Sequence, residues 1–466
     1  MKSTHPDSEM ITAPMARWAA DLTFADLSEE AIHEAKRFLL DSLGCALGGY
    51  TQHDVKILLD VLDETAGSGP ATVIGTGKRV DAVSASFANA LMVRAMDYND
   101  IYWQQDPSHP SDIIPGALAL VERGDGDGKE LCVGIILGHE FEMRLCEAAF
   151  PGIRERGWHH ATLTAFAAAF VAGRMLHLDA ERIQHAVGIS GSSHATFGAV
   201  TAGKLTMMKN TVDPLATQRG VLAGLLAERG YTGPEHVIDG KEGLVETLGP
   251  EWKLGVLTDK LGQSWRITRC GMKAFPTEAL THTPISAVLD LVTEHDLAAD
   301  DVEQVHIRSL ARAADILADP SKYEPRNRET ADHSLPYVIA AALVDRQVTP
   351  LQFTIAKIED PQIRAQLNKV VVVADPEIEK DFPARQRVGV TITTKDGRTF
   401  TKDLDYPKGH PNNPLTSTEI EEKFDALAAP VMSSGRRRQI KDAVWNLENL
   451  DSVRDLTDLL RVDGAS

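Results

Sequence analysis

The residues best suited to proton transfer in this chain lie between positions 97 and 112. Asp97 and His109 have the clearest acid or base chemistry in this segment, and further carboxylates and an amide surround them. An elimination or a decarboxylation needs a base, an acid and a fixed backbone, and side chains of these types supply them. We therefore expect the chemistry of this protein in that segment, with both residues as candidate catalytic groups.

Two further groups of polar residues stand at predicted helix starts. His159 and His160 precede an Ala-rich run, and backbone N–H groups at a helix start favour an anion. The sequence does not distinguish which of the two imidazoles faces a site. His333, Ser334 and Tyr337 open another apolar helix, where helix capping and catalysis can coexist. The candidate catalytic residues here are His159, His160 and Tyr337, and the candidate substrate-binding residues are His333 and Ser334.

Three lysines are candidates for holding the carboxylates of a substrate. Most lysines are solvated surface charges. Lys204 and Lys209, however, flank an apolar stretch, and Lys273 lies at a predicted domain boundary, where ligand clefts often form. An ammonium group in such a place can bind a carboxylate. We therefore predict Lys209, Lys273 and Lys204 as substrate-binding residues.

The composition restricts the partners and the compartment of the protein. The chain of 466 residues has a formal net charge of -19, which argues against nucleic acid and anionic membrane surfaces as partners. A small anionic substrate then requires a local positive pocket. Four widely spaced cysteines and an N-terminus without a signal pattern favour a reducing, cytoplasmic location. Asp97, Asp100 and His109 include acceptable metal ligands, but their spacing matches no metal motif, so we expect no metal.

The pattern of apolar residues predicts a mainly α protein with a smaller α+β part. Helical periodicity dominates from residue 14 to about residue 226, and strand-like runs follow residue 302, after one short hairpin near residue 71. Helical patterns return beyond residue 407. We predict a large, discontinuous helical domain from residues 1–267 and 409–466, and an inserted α+β domain at residues 268–408.

Three helical segments are predicted from local signals. Ser417 is a suitable cap for a helix over residues 418–427, and a second helical pattern covers residues 439–460. A further helix is expected to begin near Asp213-Pro214, because proline favours the first turn.

Motifs distributed over the whole chain together resemble one protein family. They are residues 41–44, 97–112, 157–162, 209–234, 273–276, 329–337 and 409–411. In order and spacing they resemble the MmgE/PrpD family, whose members include 2-methylcitrate dehydratase, cis-aconitate decarboxylase and iminodisuccinate epimerase. The resemblance implies a large all-helical domain with an α+β lid, a homodimer, and activity without a metal or an organic cofactor.

The resemblance also identifies pocket residues. The decarboxylase branch of the family is similar to this chain at six pocket positions, Asp97, His109, His159, Lys209, Lys273 and Tyr337. The chain departs from that branch at Ile101, where the branch has threonine, and at Thr277, where it has histidine. The dehydratase branch is more similar over residues 109–112 and 329–337. The resemblance therefore leaves the branch open.

The leading hypothesis is reversible dehydration of a citrate-like hydroxy tricarboxylate such as 2-methylcitrate. Lys209 and Lys273 would bind substrate carboxylates and stabilise the negative charge that develops when a proton is removed. Decarboxylation of an unsaturated tricarboxylate and epimerisation of an amino-dicarboxylate such as iminodisuccinate are the alternatives among enzymes. A non-catalytic helical dimerisation scaffold is a third class of function.

A dehydration requires two proton-transfer roles, and the sequence offers more than one residue for each. His109 or Asp97 would act as the base. Tyr337, His159 or His160 would deliver the proton to the leaving hydroxide. These alternatives stay open at the level of sequence.

Overall fold

The protein is described from a computed structural model that covers residues 10–104, 106–202, 205–249 and 251–464. The chain divides into two compact units. The first contains the described residues of Met1–Gly203, Met208–Cys270 and Thr416–Ser466, and the second those of Lys204–Met207 and Gly271–Leu415. Helix is the predominant element, which confirms the mainly α prediction. Within these ranges, every helix is too short or too polar to span a bilayer.

The first unit is built mainly from helices. Up to Cys270 they are α1 (Thr12–Asp21), α2 (Glu29–Gly49), α3 (His53–Thr65), α4 (Ala82–Arg94), α5 (Ile114–Arg123), α6 (Gly128–Ala148), α7 (Ala161–Met175), α8 (Ala180–Ser193), α9 (Met208–Glu228), α10 (Leu244–Leu248) and α11 (Gly255–Thr258). The short strands are β1 (Ser68–Thr72), β2 (Arg79–Val80), β3 (Asp100–Trp103) and β4 (Pro107–Ser108). Strand β1 pairs with β2 and β3 with β4, both antiparallel. The predicted hairpin near residue 71 is confirmed.

Helix α7 is buried along its whole length, as its Ala-rich sequence predicts. Small side chains allow neighbouring helices to approach closely, and α7 packs against α6, α8 and α9. A Cβ atom added to Gly220 of α9 would lie 2.5 Å from the Cβ of Ala168 in α7. This close approach holds α7 and α9 side by side.

Helix α9 begins at Met208, so the predicted start near Asp213-Pro214 is wrong. Pro214 lies inside the helix, where its missing N–H removes one helical hydrogen bond. The helix is nevertheless continuous from Met208 to Glu228. Lys209 consequently lies in the first turn of α9, and Asp213 lies about one turn further along.

The second unit combines helices with a four-stranded sheet. Its helices are α12 (His282–Glu294), α13 (Ala311–Ile316), α14 (Arg328–Ala331), α15 (Leu335–Asp345), α16 (Ile355–Ile358), α17 (Pro361–Arg364) and α18 (Pro376–Glu379). Its strands are β5 (Gly271–Met272), β6 (Val302–Ser309), β7 (Val370–Ala374), β8 (Val388–Thr394) and β9 (Thr399–Leu404). The sheet order is β7-β6-β8-β9, with β6 and β7 parallel and the other neighbours antiparallel. The predicted strands after residue 302 are confirmed.

Three helices of the first unit follow, α19 (Ser417–Ala428), α20 (Ser434–Trp445) and α21 (Arg454–Thr457). Thr416 caps α19 instead of the predicted Ser417. Its hydroxyl accepts from the Glu419 N–H at 3.2 Å, and the Glu419 carboxylate accepts from the Thr416 N–H at 2.7 Å. The helical pattern predicted over residues 439–460 corresponds to α20 and α21, which are separate helices because Asn446, at φ -107° and ψ 23°, ends α20.

Candidate active site

Asp97 lies in a tight turn that follows α4. Its φ of 50° is in the left-handed region, which residues other than glycine rarely adopt. The N–H of Asp97 donates to the Arg94 carbonyl at 2.9 Å and closes the turn. Backbone of this kind persists only where surrounding contacts hold it, and it is concentrated at functional sites. The turn keeps the Asp97 carboxylate inside the first unit, where its side chain is buried.

Two cations hold the Asp97 carboxylate. Its Oδ2 accepts from the Nζ of Lys209 at 2.5 Å, and its Oδ1 accepts from the Nη1 of Arg94. All three side chains are buried, so these ion pairs are not screened by solvent as surface pairs are. The structure thus brings the predicted residues Asp97 and Lys209 together and adds Arg94 to them.

Arg94 is a site residue that the sequence analysis missed. Its Nε lies 3.5 Å from the Oδ2 of Asp112 and 3.9 Å from the Oδ2 of Asp213. Burial opposes the charge of Arg94, but Asp97, Asp112 and Asp213 outweigh burial and raise its pKa. The guanidinium therefore stays charged. The available sequence signal was an arginine at the end of an apolar helix, one turn before the candidate aspartate.

His109 faces Arg94 in a defined tautomer. Its Nδ1 lies 2.7 Å from the carbonyl oxygen of Asp100, and a carbonyl oxygen only accepts, so Nδ1 donates. In the neutral ring, Nε2 then presents its lone pair to the Nη2 of Arg94, at 3.1 Å. The structure therefore places the predicted His109 in the same buried cluster as Asp97.

Asp100 fixes the backbone next to His109. Its carboxylate accepts from the Ser111 N–H at 2.8 Å and from the Ser111 hydroxyl at 2.6 Å. The Asn99 amide donates to the Ser111 hydroxyl at 2.9 Å and to Asp112 at 3.0 Å. Burial raises the pKa of Asp100 to about 7, although the Ser111 hydrogen bonds oppose the shift. This network accounts for the amide and the carboxylates noted in the sequence segment.

Both paired histidines are buried at the start of α7. The Nδ1 of His159 accepts from the Ala161 N–H at 3.2 Å, so the proton of the neutral ring is on Nε2. The Nε2 of His160 lies 3.4 Å from the Oδ1 of Asp213, and among the described residues neither ring nitrogen of His160 has a hydrogen-bond partner. The His160 ring lies 3.9 Å from that of His159 and 5.3 Å from that of His109, centroid to centroid.

Burial and charge shift the pKa values of three carboxyl groups beside the histidines in different directions. Burial opposes ionisation of Asp213, but His160, His159 and Arg94 lower its pKa. The pKa of Glu142 is raised well above its usual value by burial and by Asp213, and that of Asp112 by burial despite Arg94. The Thr164 hydroxyl lies 3.0 Å from Glu142 and 3.3 Å from Asp213. The site therefore combines a carboxyl group whose pKa is lowered with two whose pKa values are raised, an arrangement typical of acid–base sites.

Among the residues that the structure describes, two buried groups of side chains have atoms suitable for a metal ion. One consists of Asp100, His139 and Cys270, and the other of His159, His160 and Asp213. Within each group the ligand atoms lie within 4.8 Å of one another. A closed zinc site uses four ligands. A zinc ion at either place would need a ligand beyond these three.

In the second unit, the predicted Lys273 is buried and fixed to a backbone carbonyl. Its Nζ donates to the Thr277 carbonyl at 3.0 Å. The Nε2 of His282 lies 3.3 Å from the same oxygen. His282 was not predicted. It supplies an imidazole close to Thr277, the position at which the resemblance expects a histidine.

The other predicted residues of the second unit surround the start of α15. The Ser334 hydroxyl caps the helix by accepting from the Tyr337 N–H at 3.1 Å, and it donates to the Lys322 carbonyl at 2.5 Å. The Tyr337 hydroxyl donates to the Gln352 carbonyl. His333 is paired through Nδ1 with an Asp332 oxygen at 2.5 Å. Ser334 and Tyr337 thus have structural partners, and a role in catalysis or binding stays a prediction for all three.

One predicted residue, Lys204, lies outside the described residues. Its role as a substrate-binding lysine therefore stays a prediction from the sequence.

Comparison with known families assigns both parts of the chain. The model of the MmgE/PrpD N-terminal domain matches residues 13–256, and that of the MmgE/PrpD C-terminal domain matches residues 275–449. The chain belongs to the MmgE/PrpD family. The family resemblance inferred from the motifs is therefore confirmed, and the buried cluster around Asp97 lies in the part matched by the N-terminal model.

Curated relatives from this family match nearly the full chain. Cis-aconitate decarboxylase of Aspergillus terreus is 25% identical, over 97% of this chain and 96% of its own length. Cis-aconitate decarboxylase of Homo sapiens is 28% identical, over 97% of this chain and 94% of its own length. 2-Methylcitrate dehydratase of Salmonella typhimurium is 26% identical, over 91% of this chain and 92% of its own length. The relatives thus include both a carboxy-lyase and a hydro-lyase.

Proposed function

We propose that this protein is a cofactor-independent lyase that reversibly dehydrates 2-methylcitrate or a citrate-like hydroxy tricarboxylate. The observation that carries the proposal is the buried Asp97 carboxylate between Lys209 and Arg94, in a cluster with three imidazoles. The names of the relatives, 2-methylcitrate dehydratase and cis-aconitate decarboxylase, support a small tricarboxylate as the substrate class.

Lys209 binds a carboxylate of the substrate in this proposal. Its ammonium group already has a carboxylate partner, Asp97, at 2.5 Å inside the first unit. Removal of a proton next to a carboxylate builds negative charge on that group, and a fixed buried cation stabilises this charge as it develops. Arg94 can hold Asp97 while Lys209 donates to the substrate.

His160 is the base that the geometry favours. Its Nε2 lies 3.4 Å from the Asp213 carboxylate and its Nδ1 has no hydrogen-bond partner among the described residues, so Nδ1 is the nitrogen that accepts a proton. The two bases predicted from the sequence have other partners. His109 presents Nε2 to Arg94, and both oxygens of Asp97 accept from cations.

His159 supplies a hydrogen-bond donor for the leaving hydroxyl group. Burial lowers the pKa of His159 well below its usual value, so the ring is neutral and Nε2 carries its proton. His160 removes the proton from carbon, the C–O bond breaks as the C=C bond forms, and the removed proton joins the hydroxide. Water leaves, and no other reactant is consumed.

Decarboxylation of an unsaturated tricarboxylate is the second candidate function. It is favoured by the cis-aconitate decarboxylases among the relatives, and by the six pocket residue types that this chain shares with that branch. Loss of carbon dioxide leaves a carbanion, which Lys209 would stabilise and a protonated His160 would quench. The product separates the two candidates, since one reaction conserves carbon and the other releases it.

The remaining site predictions belong to the same proposal. Lys273, His333, Ser334 and Lys204 are proposed as substrate-binding residues, and Tyr337 is proposed as an alternative proton donor. We further propose that the protein is a homodimer, as the family resemblance implies, and that it is cytoplasmic, as its widely spaced cysteines and its N-terminal sequence favour. Light scattering coupled to size-exclusion chromatography measures the oligomeric state directly.

A proton-NMR assay tests the function. Purified protein with EDTA is incubated with 2-methylcitrate isomers, citrate, cis-aconitate, trans-aconitate and iminodisuccinate. Appearance of alkene resonances from a hydroxy acid supports the dehydratase. An itaconate-type product with release of carbon dioxide supports the decarboxylase. Deuterium incorporation without net change supports an epimerase, and no reaction across the panel overturns the proposed substrate class.

A further inference from the structure

Lys423 is a buried lysine that the proposed chemistry does not use. It lies on α19, far from Asp97 in sequence. Its Nζ donates to the backbone carbonyl of Tyr98 at 2.6 Å and pairs with the Oδ1 of Asp41 at 2.7 Å. The ammonium also lies over the Tyr98 ring, 3.9 Å from its centroid. Tyr98 directly follows Asp97, the residue with left-handed backbone.

Glycines of α2 allow this arrangement. A Cβ atom added to Gly44 would lie 3.1 Å from the Cα of Phe424, so α19 packs directly on α2 at the residue after Lys423. A Cβ atom on Gly48 would lie 2.7 Å from the Met96 side chain. One face of α2 therefore packs against both the helix that contains Lys423 and Met96, the residue that precedes Asp97.

Stability alone does not account for a charged pair at this place. Burial of an ammonium and a carboxylate costs hydration, and well-packed apolar side chains are often as stabilising as a buried ion pair. An apolar side chain, however, cannot donate a hydrogen bond to the Tyr98 carbonyl. Lys423 fixes the direction of the Tyr98 carbonyl through a hydrogen bond that depends on the charge and the length of the lysine side chain.

We propose that Lys423, held by Asp41, is a positioning residue that keeps the turn at Asp97 in the conformation required by the Lys209 contact. The inference rests on the proposed function for its kinetic consequence, and on the hydrogen bond to Tyr98 for its structural consequence. Lys423 touches neither the substrate nor the reacting atoms in this account. It acts through the backbone that follows Asp97.

Hydrogen exchange tests the structural consequence without reference to any activity. In Lys423→Met, backbone amides of residues 95–104 should exchange at least about tenfold faster than in the wild type, because the local opening is easier. Lys423→Arg should restore part of the protection. The matched control is Lys441→Met on α20, a lysine that pairs with Asp425 at 2.7 Å and should leave these amides unchanged. Unchanged exchange in folded Lys423→Met would overturn the proposal.

Kinetics test the catalytic consequence on whichever acid the wild type converts. Lys423→Met should lower kcat by about tenfold to a hundredfold with a smaller change in KM, because small displacements of a catalytic group are costly. In an Asp97→Asn background the same substitution should cause no further loss. An equal loss in both backgrounds would overturn the proposal, since Lys423 would then act independently of Asp97. If Lys423→Met does not fold, Lys423→Arg and Asp41→Asn are measured in the same two backgrounds.

The two experiments separate the failure of this inference from the failure of the proposed function. A wild type that converts no acid in the panel overturns the function, while the exchange experiment still decides the role of Lys423. A wild type that is active, with unchanged exchange and unchanged kcat in Lys423→Met, overturns the positioning role alone.

Discussion

The Nζ of Lys209 lies 2.5 Å from the Oδ2 of Asp97, although 112 positions separate the two residues in the chain. The contact joins the turn after α4 to the first turn of α9, and these two helices pack against each other. An ammonium group has three donors, so Lys209 can hold Asp97 and still bind a substrate oxygen. The resting site thus already holds the Lys209 ammonium group that binds a substrate carboxylate in the proposed chemistry.

Replacement of Lys209 should abolish most of the activity. Lys209→Met is expected to lower kcat/KM by about a hundredfold or more, because the developing negative charge loses its buried cation. Steady-state kinetics with the acid identified by NMR measure the effect. Lys241→Met, which alters an exposed lysine of the same unit, is the control and should retain wild-type activity. Equal rates for the two variants would contradict the role of Lys209.

The two adjacent histidines should have separable roles. His160→Gln is expected to slow exchange of the substrate C–H with D2O by about a hundredfold or more, because the base is lost. His159→Gln should slow release of the hydroxyl group and leave this exchange much less affected. Proton NMR in D2O follows both processes in one sample. Exchange that survives in His160→Gln and disappears in His159→Gln would show that the two assignments are reversed. His177→Gln, at an exposed histidine, is the control.

Asp100 should make stability depend on pH in a specific direction. Its pKa is raised to about 7 in the folded protein, chiefly by burial, from about 3.9 for an unfolded aspartate. Between these values the folded protein binds a proton that the unfolded chain does not, so stability falls as the pH rises from about 4 to about 7. Asp100→Asn removes this contribution and carries a constant penalty from its altered contacts with Ser111.

Thermal midpoints measured from pH 4 to pH 8 test the prediction for Asp100. The wild-type midpoint minus the Asp100→Asn midpoint should decrease with rising pH and level off above about pH 7. A difference that stays constant over the whole range would mean that Asp100 ionises normally. A difference that increases with pH would contradict the direction of its pKa shift.

The close packing of α7 and α9 should be sensitive to a single methyl group. Gly220→Ala would place a Cβ atom 2.5 Å from the Cβ of Ala168, and is expected to destabilise the protein by about 1–3 kcal/mol through overpacking. Gly435→Ala in α20 is the matched control, since no atom lies within 4 Å of its added Cβ. It should be neutral or stabilising by up to about 1 kcal/mol, because alanine favours helix. Equal thermal midpoints for the two variants would contradict the packing argument.

The local pattern of apolar residues was sufficient to predict much of the fold. The Ala-rich sequence of α7 predicts a buried helix, and alternating apolar residues predict strands such as β6 and β8, because side-chain periodicity follows directly from backbone geometry. The start of α9 was predicted wrongly, since Pro214 gives a local signal for a helix start that the surrounding helix overrides. Such boundaries depend on tertiary packing and cannot be read from neighbouring residues alone.

The residues of the candidate site could be predicted only in part from the sequence. Asp97, His109, His159, His160 and Lys209 were predicted, because polar groups next to apolar helical patterns stand out. Arg94, Asp213 and Glu142 were missed. Arg94 resembles an ordinary basic residue at a helix end, and Asp213 was taken for a residue of a helix start. The packing of their helices brings these three residues to the histidines. Their spacing in the chain does not indicate that contact.

The proposed lyase activity is tested most simply by the yield of alkene from 2-methylcitrate and citrate, followed by proton NMR with EDTA present. The wild type and Lys241→Met should both form the alkene, and Lys209→Met should form about a hundredfold less in the same time. This result would assign the buried Asp97–Lys209–Arg94 cluster as the site of a metal-independent lyase. Equal yields from Lys209→Met and the wild type, or no product from the folded wild type, would contradict it.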